Sequence, residues 1–161
     1  MEKYREIEKF RYLILAAQRQ GNKILMEFLR EIGVTPSQAE VIRILGEKEF
    51  LTLKELGQLL ICEDGSPSRL VERMVKEGLI RRKKDKNDGR FIRMTLSPLG
   101  KEKHLLITKA EEQMYRKMTQ LYTTKEIELA NKVLSKLLLD TKFECKFEQR
   151  GFSLHHNHDR N

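Results

Sequence analysis

Apolar residues recur at helical spacing along most of this 161-residue chain, and one short region breaks the pattern. The first stripe advances by alternating steps of three and four residues and consists of Ile7, Phe10, Ile14, Ala17, Gly21, Ile24 and Phe28. This spacing predicts one long helix that ends near Gly33. The stripe could pack on the core of its own domain, or it could form a seam with a partner helix, because helix pairing favours a strict three-four repeat. Periodicity alone does not distinguish packing on the chain's own core from pairing with a partner helix.

Helix start signals divide the rest of the chain into further helices. They are Thr35-Pro36-Ser37-Gln38, Thr52 to Glu55, Ser66-Pro67, Ser97-Pro98 and Thr123 to Glu126. Each offers a capping side chain, and most have a proline or a capping-box partner in the first turn. The helix after Ser66 has an inward face of Leu70, Val71, Met74 and Val75, and Gly78 is expected to end it as a left-handed cap.

Between residues 79 and 96 the pattern is that of a β-hairpin. Leu79 to Lys84 and Phe91 to Leu96 predict two short strands, and the turn between them ends in Asp88-Gly89, a strong hairpin signal. The tail from about Thr141 lacks clear periodicity, and we expect it to fray. The predicted fold class is therefore mainly α with a small β-hairpin, an α+β arrangement.

The charge of the chain indicates what kind of partner this predicted fold would bind. The chain has 32 basic and 24 acidic residues, a net charge of +8 and a pI of about 9.5. The predicted hairpin has seven basic residues against two acidic ones, a local charge of +5. Such an excess favours an anionic partner, nucleic acid first and an acidic membrane surface second.

Two short helices followed by a basic hairpin are the parts of a winged helix-turn-helix, whose second helix enters the major groove of DNA. The predicted DNA contacts on that helix are Ser66, Pro67, Ser68, Arg69, Arg73 and Lys76, and those on the hairpin are Lys84, Lys86, Arg90 and Arg93. Taken singly, the arginines could form the polar face of any amphipathic helix, and the hairpin could be a solvated loop. Their order along the chain favours DNA binding.

The same residues carry a family resemblance. Ser66 to Ile80 resembles the recognition helix and first wing strand of the MarR family of bacterial transcriptional regulators. Asp88-Gly89-Arg90, followed by Leu96-Ser97 and Gly100, is similar to the wing pattern of that family. The resemblance covers roughly residues 5 to 140. It departs at Gly89, where many members have a second arginine, and at Ser97, which replaces the usual threonine.

The resemblance implies a homodimer that binds double-stranded DNA. Residues 1–32 and 98–140 would then form the helical dimerisation region, residues 33–97 the winged helix-turn-helix, and residues 141–161 a flexible tail. Two recognition helices would occupy successive major grooves of a pseudo-palindrome, with the wings in minor grooves. On this basis the N-terminal stripe is a partner seam, Arg90 is the wing-tip arginine, and Asp88 supports Arg90 instead of touching DNA.

Many relatives of this kind respond to a small aromatic ligand, a metal or an oxidant. We expect a repressor, and a ligand cleft lined by Phe10, Met26 and Phe28 is a loose hypothesis, because a core role is the commoner one for such residues. Cys62 precedes the recognition helix, where a small buried residue is the more common use of cysteine. The histidines at 155, 156 and 158 lack a partner at fixed distance, so no metal site is predicted.

Other classes have less support. The sequence has no Gly-rich phosphate loop, nucleophile elbow or His-Glu metal motif, so neither an enzyme nor a cofactor is expected. With two distant cysteines and no signal-peptide or membrane-length apolar run, we expect a cytoplasmic protein. The alternative function is a basic helical interaction module that binds acidic protein or anionic lipid.

Overall fold

The computed structural model describes residues 2–63 and 65–155. The elements in chain order are a 3-10 turn (Glu2–Tyr4), α1 (Arg5–Leu29), α2 (Pro36–Glu47), β1 (Leu51–Thr52), α3 (Leu53–Gly57), α4 (Pro67–Lys76), β2 (Ile80–Lys84), β3 (Ile92–Leu96), α5 (Pro98–Leu121), α6 (Thr124–Ser135) and α7 (Lys142–Gln149). This is the predicted mainly helical fold with a small antiparallel sheet. His156 and His158 lie outside the described residues.

The predicted caps fix where the helices begin. The Thr35 hydroxyl accepts from the Gln38 amide N–H while the Gln38 side chain accepts from the Thr35 N–H, which completes the capping box of α2. The same reciprocal pair forms at Thr52 and Glu55 and again at Thr123 and Glu126. The Ser97 hydroxyl caps α5 by accepting from the Gly100 N–H at 2.9 Å.

The hairpin pairs β2 with β3, and β3 also pairs with β1 on its other side, so the strand order is β1-β3-β2. In β2–β3, Ile80 lies opposite Leu96 and Lys84 opposite Ile92. The sequence did not predict β1, because two residues are too few for a pattern. Its Leu51 lies opposite Met94, so the strand is defined by a partner more than forty positions away.

One hydrophobic core joins the helix-turn-helix to the sheet. The side chains with almost no exposure are Leu29, Val41, Ile42, Leu45, Leu56, Leu60, Val71, Met74 and Ile107. Leu29 from the end of α1 and Ile107 from α5 enter this core, while the remainder of α1 contributes no fully buried side chain. The core therefore belongs to the lobe of residues 29–107, and the long helices extend from it.

Two glycines are required by the connection from α4 through the sheet to α5. Gly78 has φ +73°, the left-handed conformation predicted for the residue that ends α4. A Cβ atom on Gly100 would lie 2.2 Å from the backbone carbonyl oxygen of Leu79, so only glycine allows α5 to approach β2 this closely.

The prediction of a flexible tail from residue 141 is wrong for the first part of that segment, which is folded. Residues 142–149 form α7, whose Thr141 cap accepts from the Phe143 N–H, and Leu154 is buried. The Phe147 and Phe152 rings pack with centroids 6.2 Å apart. Contacts of α7 with residues about ninety positions earlier stabilise it, and no local pattern reveals these. No helix in the described part of the chain is both long and apolar enough to cross a membrane.

Candidate nucleic-acid interface

Helix α4 turns one face to the core and the other to solvent. Leu70, Val71 and Met74 are buried, as predicted. The polar residues predicted to contact DNA are on the outside: Ser66, Ser68, Arg69, Arg73 and Lys76 are exposed and Pro67 is half-buried. Lys76 lies 3.7 Å from Glu72, an exposed pair one turn apart. The helix therefore presents the exposed side chains of Arg69 and Arg73 on its polar face.

The beginning of α4 differs from the expected cap. Ser66 occupies the N-cap position but makes no side-chain cap bond; its hydroxyl lies 2.6 Å from the Ser68 hydroxyl. The first turn of a helix has amide N–H groups without helical acceptors, and a phosphate is a suitable acceptor for them. The Ser66 side chain caps none of these groups, because its hydroxyl pairs with Ser68.

The turn before α4 is held by a residue that the sequence did not single out. Glu40, a buried residue of α2, accepts hydrogen bonds from the backbone N–H groups of Ile61 and Cys62 at 2.9 and 2.7 Å. The Ser37 hydroxyl donates to the Cys62 carbonyl at 3.2 Å. The Cys62 side chain is exposed, contrary to the buried use expected for it. Helix α2 thus fixes the approach to the recognition helix.

The wing is organised around Asp85. Its carboxylate accepts from the N–H groups of Asn87 and Asp88 and is ion-paired with Arg93. These interactions, with Arg93 the largest, lower the pKa of Asp85 to about 2. Arg93 also donates to the Phe50 carbonyl at 2.8 Å and lies 3.2 Å from Glu55. Its guanidinium therefore binds the wing to the segment before α3, and DNA contact by Arg93 stays a prediction.

Asp88 and Arg90 are brought together at the wing tip. The Arg90 Nε and Nη2 donate to the two carboxylate oxygens of Asp88 at 2.9 and 2.7 Å, while the Arg90 side chain stays 87% exposed. This is the arrangement expected of an acid that supports a wing arginine. It lowers the pKa of Asp88 through the hydrogen bond from Arg90. Lys84 and Lys86 are exposed beside the pair.

Gly89 has no steric role. A Cβ atom there would meet nothing within 4 Å. The turn therefore has room for a larger side chain at this position. Its shape does not explain why glycine is present where many family members have a second arginine.

A cavity of about 410 Å³ lies among α1, α2, α5 and the C-terminal segment. Its walls include Leu25, Arg43, Tyr115, Phe147, Arg150 and Phe152. Phe10, Met26 and Phe28 are not among its lining residues. Met26 is exposed, and the Phe28 ring lies under the Lys117 ammonium group at 5.0 Å. Among the described residues, the walls of this cavity are thus formed by side chains other than the three proposed for the pocket.

Arg43 links the two sides of this cavity. Its guanidinium contacts Glu47 and Glu111, each at 2.9 Å, and donates to the Thr108 hydroxyl at 3.0 Å. Burial raises the pKa of Glu111, and burial also lowers that of neighbouring His104. Arg43 therefore joins α2 of the helix-turn-helix to α5.

His155 does have an acidic neighbour at fixed distance. Its Nε2 lies 2.8 Å from a carboxylate oxygen of Glu144, and Glu148 is close enough for all three ligand atoms to lie within 4.8 Å of one another. Glu144 also accepts from the Asp140 N–H. Glu144 thus joins the residues before and after α7, and no metal site is inferred from the group.

Comparisons with known proteins agree with this geometry. Residues 34–100 match a winged helix DNA-binding domain family. An uncharacterised HTH-type transcriptional regulator, YsmB of Bacillus subtilis, is 31% identical over 144 residues, which are 88% of this chain and 95% of that protein. The multiple antibiotic resistance protein MarR of Escherichia coli is 24% identical over 139 residues, which are 84% of this chain and 94% of that protein. The chain belongs to the MarR family. It is a DNA-binding transcriptional regulator with a winged helix-turn-helix, as the sequence predicted.

Two further likenesses are more limited. The organic hydroperoxide resistance regulator of Bacillus subtilis is 30% identical over 89 residues, so the match spans 60% of that protein. A crystal structure of a mutant MarR from Escherichia coli complexed with operator DNA has a TM-score of 0.72 at 23% identity, covering 84% of this chain and 97% of the other. This second likeness concerns the fold.

Proposed function

We propose that this MarR-family protein is a homodimeric repressor that binds a pseudo-palindromic operator and is released by a small-molecule ligand. One observation supports the binding of DNA sequence. Helix α4 exposes a polar face with Arg69 and Arg73, and the basic hairpin follows directly after Gly78, which ends the helix. An α-helix fits the major groove, and arginine can make a bidentate contact to guanine. Arg90 at the wing tip suits a narrow minor groove, where the negative potential is enhanced.

The dimer is proposed from the apolar residues that one chain leaves uncovered. Ile7 on α1 is 68% exposed, Leu121 on α5 is 72% exposed and Leu129 on α6 is 63% exposed. Further exposed apolar residues on the same helices are Tyr12, Leu13, Leu105, Met118 and Leu134, and Leu137 is exposed just after α6. Large apolar surfaces of this kind mark interaction sites. A second copy of the chain would cover them with its own α1, α5 and α6, as a two-fold interface requires.

Ligand release is proposed for the cavity between the helices. The aromatic rings of Tyr115, Phe147 and Phe152 lie on its walls with the cations of Arg43 and Arg150. A small aromatic anion matches such a lining, because its ring is apolar and its charge can be paired. Since Arg43 joins α2 to α5, an occupant that displaced this link would change the position of the helix-turn-helix relative to the long helices.

Selection of bound duplexes from a random pool tests the operator. The expected result is a motif with two inverted half-sites, whose centres are about one helical turn, or a multiple of it, apart. A motif without two-fold symmetry would contradict the dimer. Failure to enrich any motif would contradict sequence reading.

Vesicles of anionic lipid test the alternative function in the same buffer. At about 150 mM salt, the proposal expects binding to the enriched duplex to exceed binding to random duplex and to vesicles, because non-specific electrostatic binding weakens steeply with salt. Equal binding to all three would favour a basic interaction module.

A further inference from the structure

The C-terminal segment, residues 141–155, packs against the helix-turn-helix through charged side chains. The Lys146 ammonium group donates to the carbonyls of Gly57 and Leu60 at 2.9 and 2.5 Å. Lys48, the residue that follows α2, donates to the Gln149 carbonyl at 2.8 Å. These contacts join positions 86 to 101 residues apart in sequence, so they are tertiary links between the segment and the DNA-binding lobe.

Arg150 makes the innermost of these links. Its guanidinium lies 2.5 Å from a carboxylate oxygen of Glu40, and the Glu40 side chain is only 6% exposed. The same carboxylate accepts from the N–H groups of Ile61 and Cys62. Arg150 is therefore the cationic partner of the buried acid that holds the turn before α4.

Lys146 and Arg150 contact both sides of one loop. Lys146 binds the carbonyl at the end of α3 and that of Leu60. Arg150 is ion-paired with Glu40, whose carboxylate binds the amides of the next two residues. This loop is the turn of the helix-turn-helix, so its geometry sets the position of α4 relative to α3. We propose that Lys146 and Arg150 are positioning residues for DNA recognition, which hold the recognition helix through the turn in front of it.

The physical reason lies in the burial of Glu40. A buried carboxylate that loses its cationic partner is left with an uncompensated charge, and such a group draws in water or shifts its position. Either response weakens its bonds to the Ile61 and Cys62 amides. The expected effect of losing Arg150 is therefore a mobile turn and a less well placed α4, while the core of the lobe, which Arg150 does not enter, is retained.

The test compares Arg150→Ala with Lys142→Ala in the full chain. Lys142 is exposed at the start of α7, the helix that Arg150 follows, so its replacement removes the same charge and serves as the matched control. Affinities are measured for the duplex enriched from the random pool and for random duplex. Because a charge-assisted bond to a buried acid is lost, Arg150→Ala should weaken enriched-duplex binding about tenfold relative to the control. Binding to random duplex should match the control.

Hydrogen exchange of the Ile61 and Cys62 amides gives a readout independent of DNA. Exchange should be faster in Arg150→Ala and unchanged in Lys142→Ala, and Arg150→Lys should restore part of both the protection and the affinity. Should Arg150→Ala fail to fold, Lys146→Met is judged by the same two criteria.

Unchanged exchange, or enriched-duplex affinity equal to that of Lys142→Ala, would overturn the inference. The inference rests on the proposed operator reading, and the two can fail separately. If the unmodified protein does not prefer the enriched duplex, the proposed function fails. If it does prefer that duplex and Arg150→Ala behaves as the control, only the positioning role fails.

Discussion

At the scale of single residues, the arginines of the basic wing have two different roles: one is bound within the fold, and the other is exposed to solvent. Arg93 is only 29% exposed and binds Asp85, Glu55 and the Phe50 carbonyl, whereas Arg90 is 87% exposed and keeps one acidic partner. The same residue type thus stabilises the hairpin at one position and faces solvent at another.

The titration of Asp85 tests whether Arg93 is bound within the folded wing. Its pKa in the folded wing is about 2, against an ordinary value of 3.8. A lowered pKa means that the carboxylate favours the folded wing at every pH above about 4, and that this contribution is lost as the pH falls through about 2. An NMR titration of the Asp85 carboxyl carbon should show a midpoint near 2 in the unmodified protein and a higher one in Arg93→Ala. A midpoint near 3.8 in the unmodified protein would contradict the pairing.

The wing motif of the resembling family predicted some of these residues, and the sequence missed others. Asp88 and Arg90 are two positions apart in a turn, so their contact could be anticipated from the motif. Glu40 could not, because its partners at 61, 62 and 150 meet it only in the folded chain. Ser66 was expected to cap α4, but its hydroxyl pairs with Ser68, and sequence does not distinguish the two hydrogen bonds.

At the scale of elements, helix α4 and the wing should contribute differently to binding. Arg69 is on the outward face of the helix predicted to enter the major groove, so Arg69→Ala should cost about 1–3 kcal/mol on the enriched duplex and relax the base preference at one position. Arg90→Ala should weaken enriched and random duplexes to a similar extent and lower the salt dependence by about one counterion. Competition binding with duplexes mutated at single positions measures both.

The two substitutions serve as controls for each other, because each removes one exposed arginine. Unchanged base discrimination in Arg69→Ala would exclude Arg69 from direct reading of bases. Intact affinity in Arg90→Ala would show that the wing tip does not contact DNA.

Helices with strong caps and clear periodicity could be predicted, and short or irregular elements could not. The boxes at Thr35, Thr52 and Thr123 each begin a helix where expected. β1 consists of two residues, and α7 is stabilised by Lys146 and Arg150, whose partners are about ninety or more positions away. Sequence patterns report local preference, and these two elements depend on distant contacts.

At the scale of the whole molecule, the described residues form one hydrophobic core, and the long helices that extend from it have exposed apolar side chains. The core lies between residues 29 and 107, while α1 has a single fully buried residue, Leu29. The N-terminal stripe is exposed or half-buried along its length, with Ile7 the most exposed of its large members. Its strict repeat is therefore not explained by packing in one chain, which favours the partner seam among the two alternatives.

The central claim is that two copies of α4 read a two-fold symmetric sequence, and one comparison of affinities tests it most directly. The protein is titrated at about 150 mM salt onto the enriched duplex and onto the same duplex with one half-site scrambled. Two chains should bind the intact duplex, and scrambling should lower the affinity about 100-fold or more, since half of the base contacts are lost. Equal affinity for the two duplexes would contradict the account.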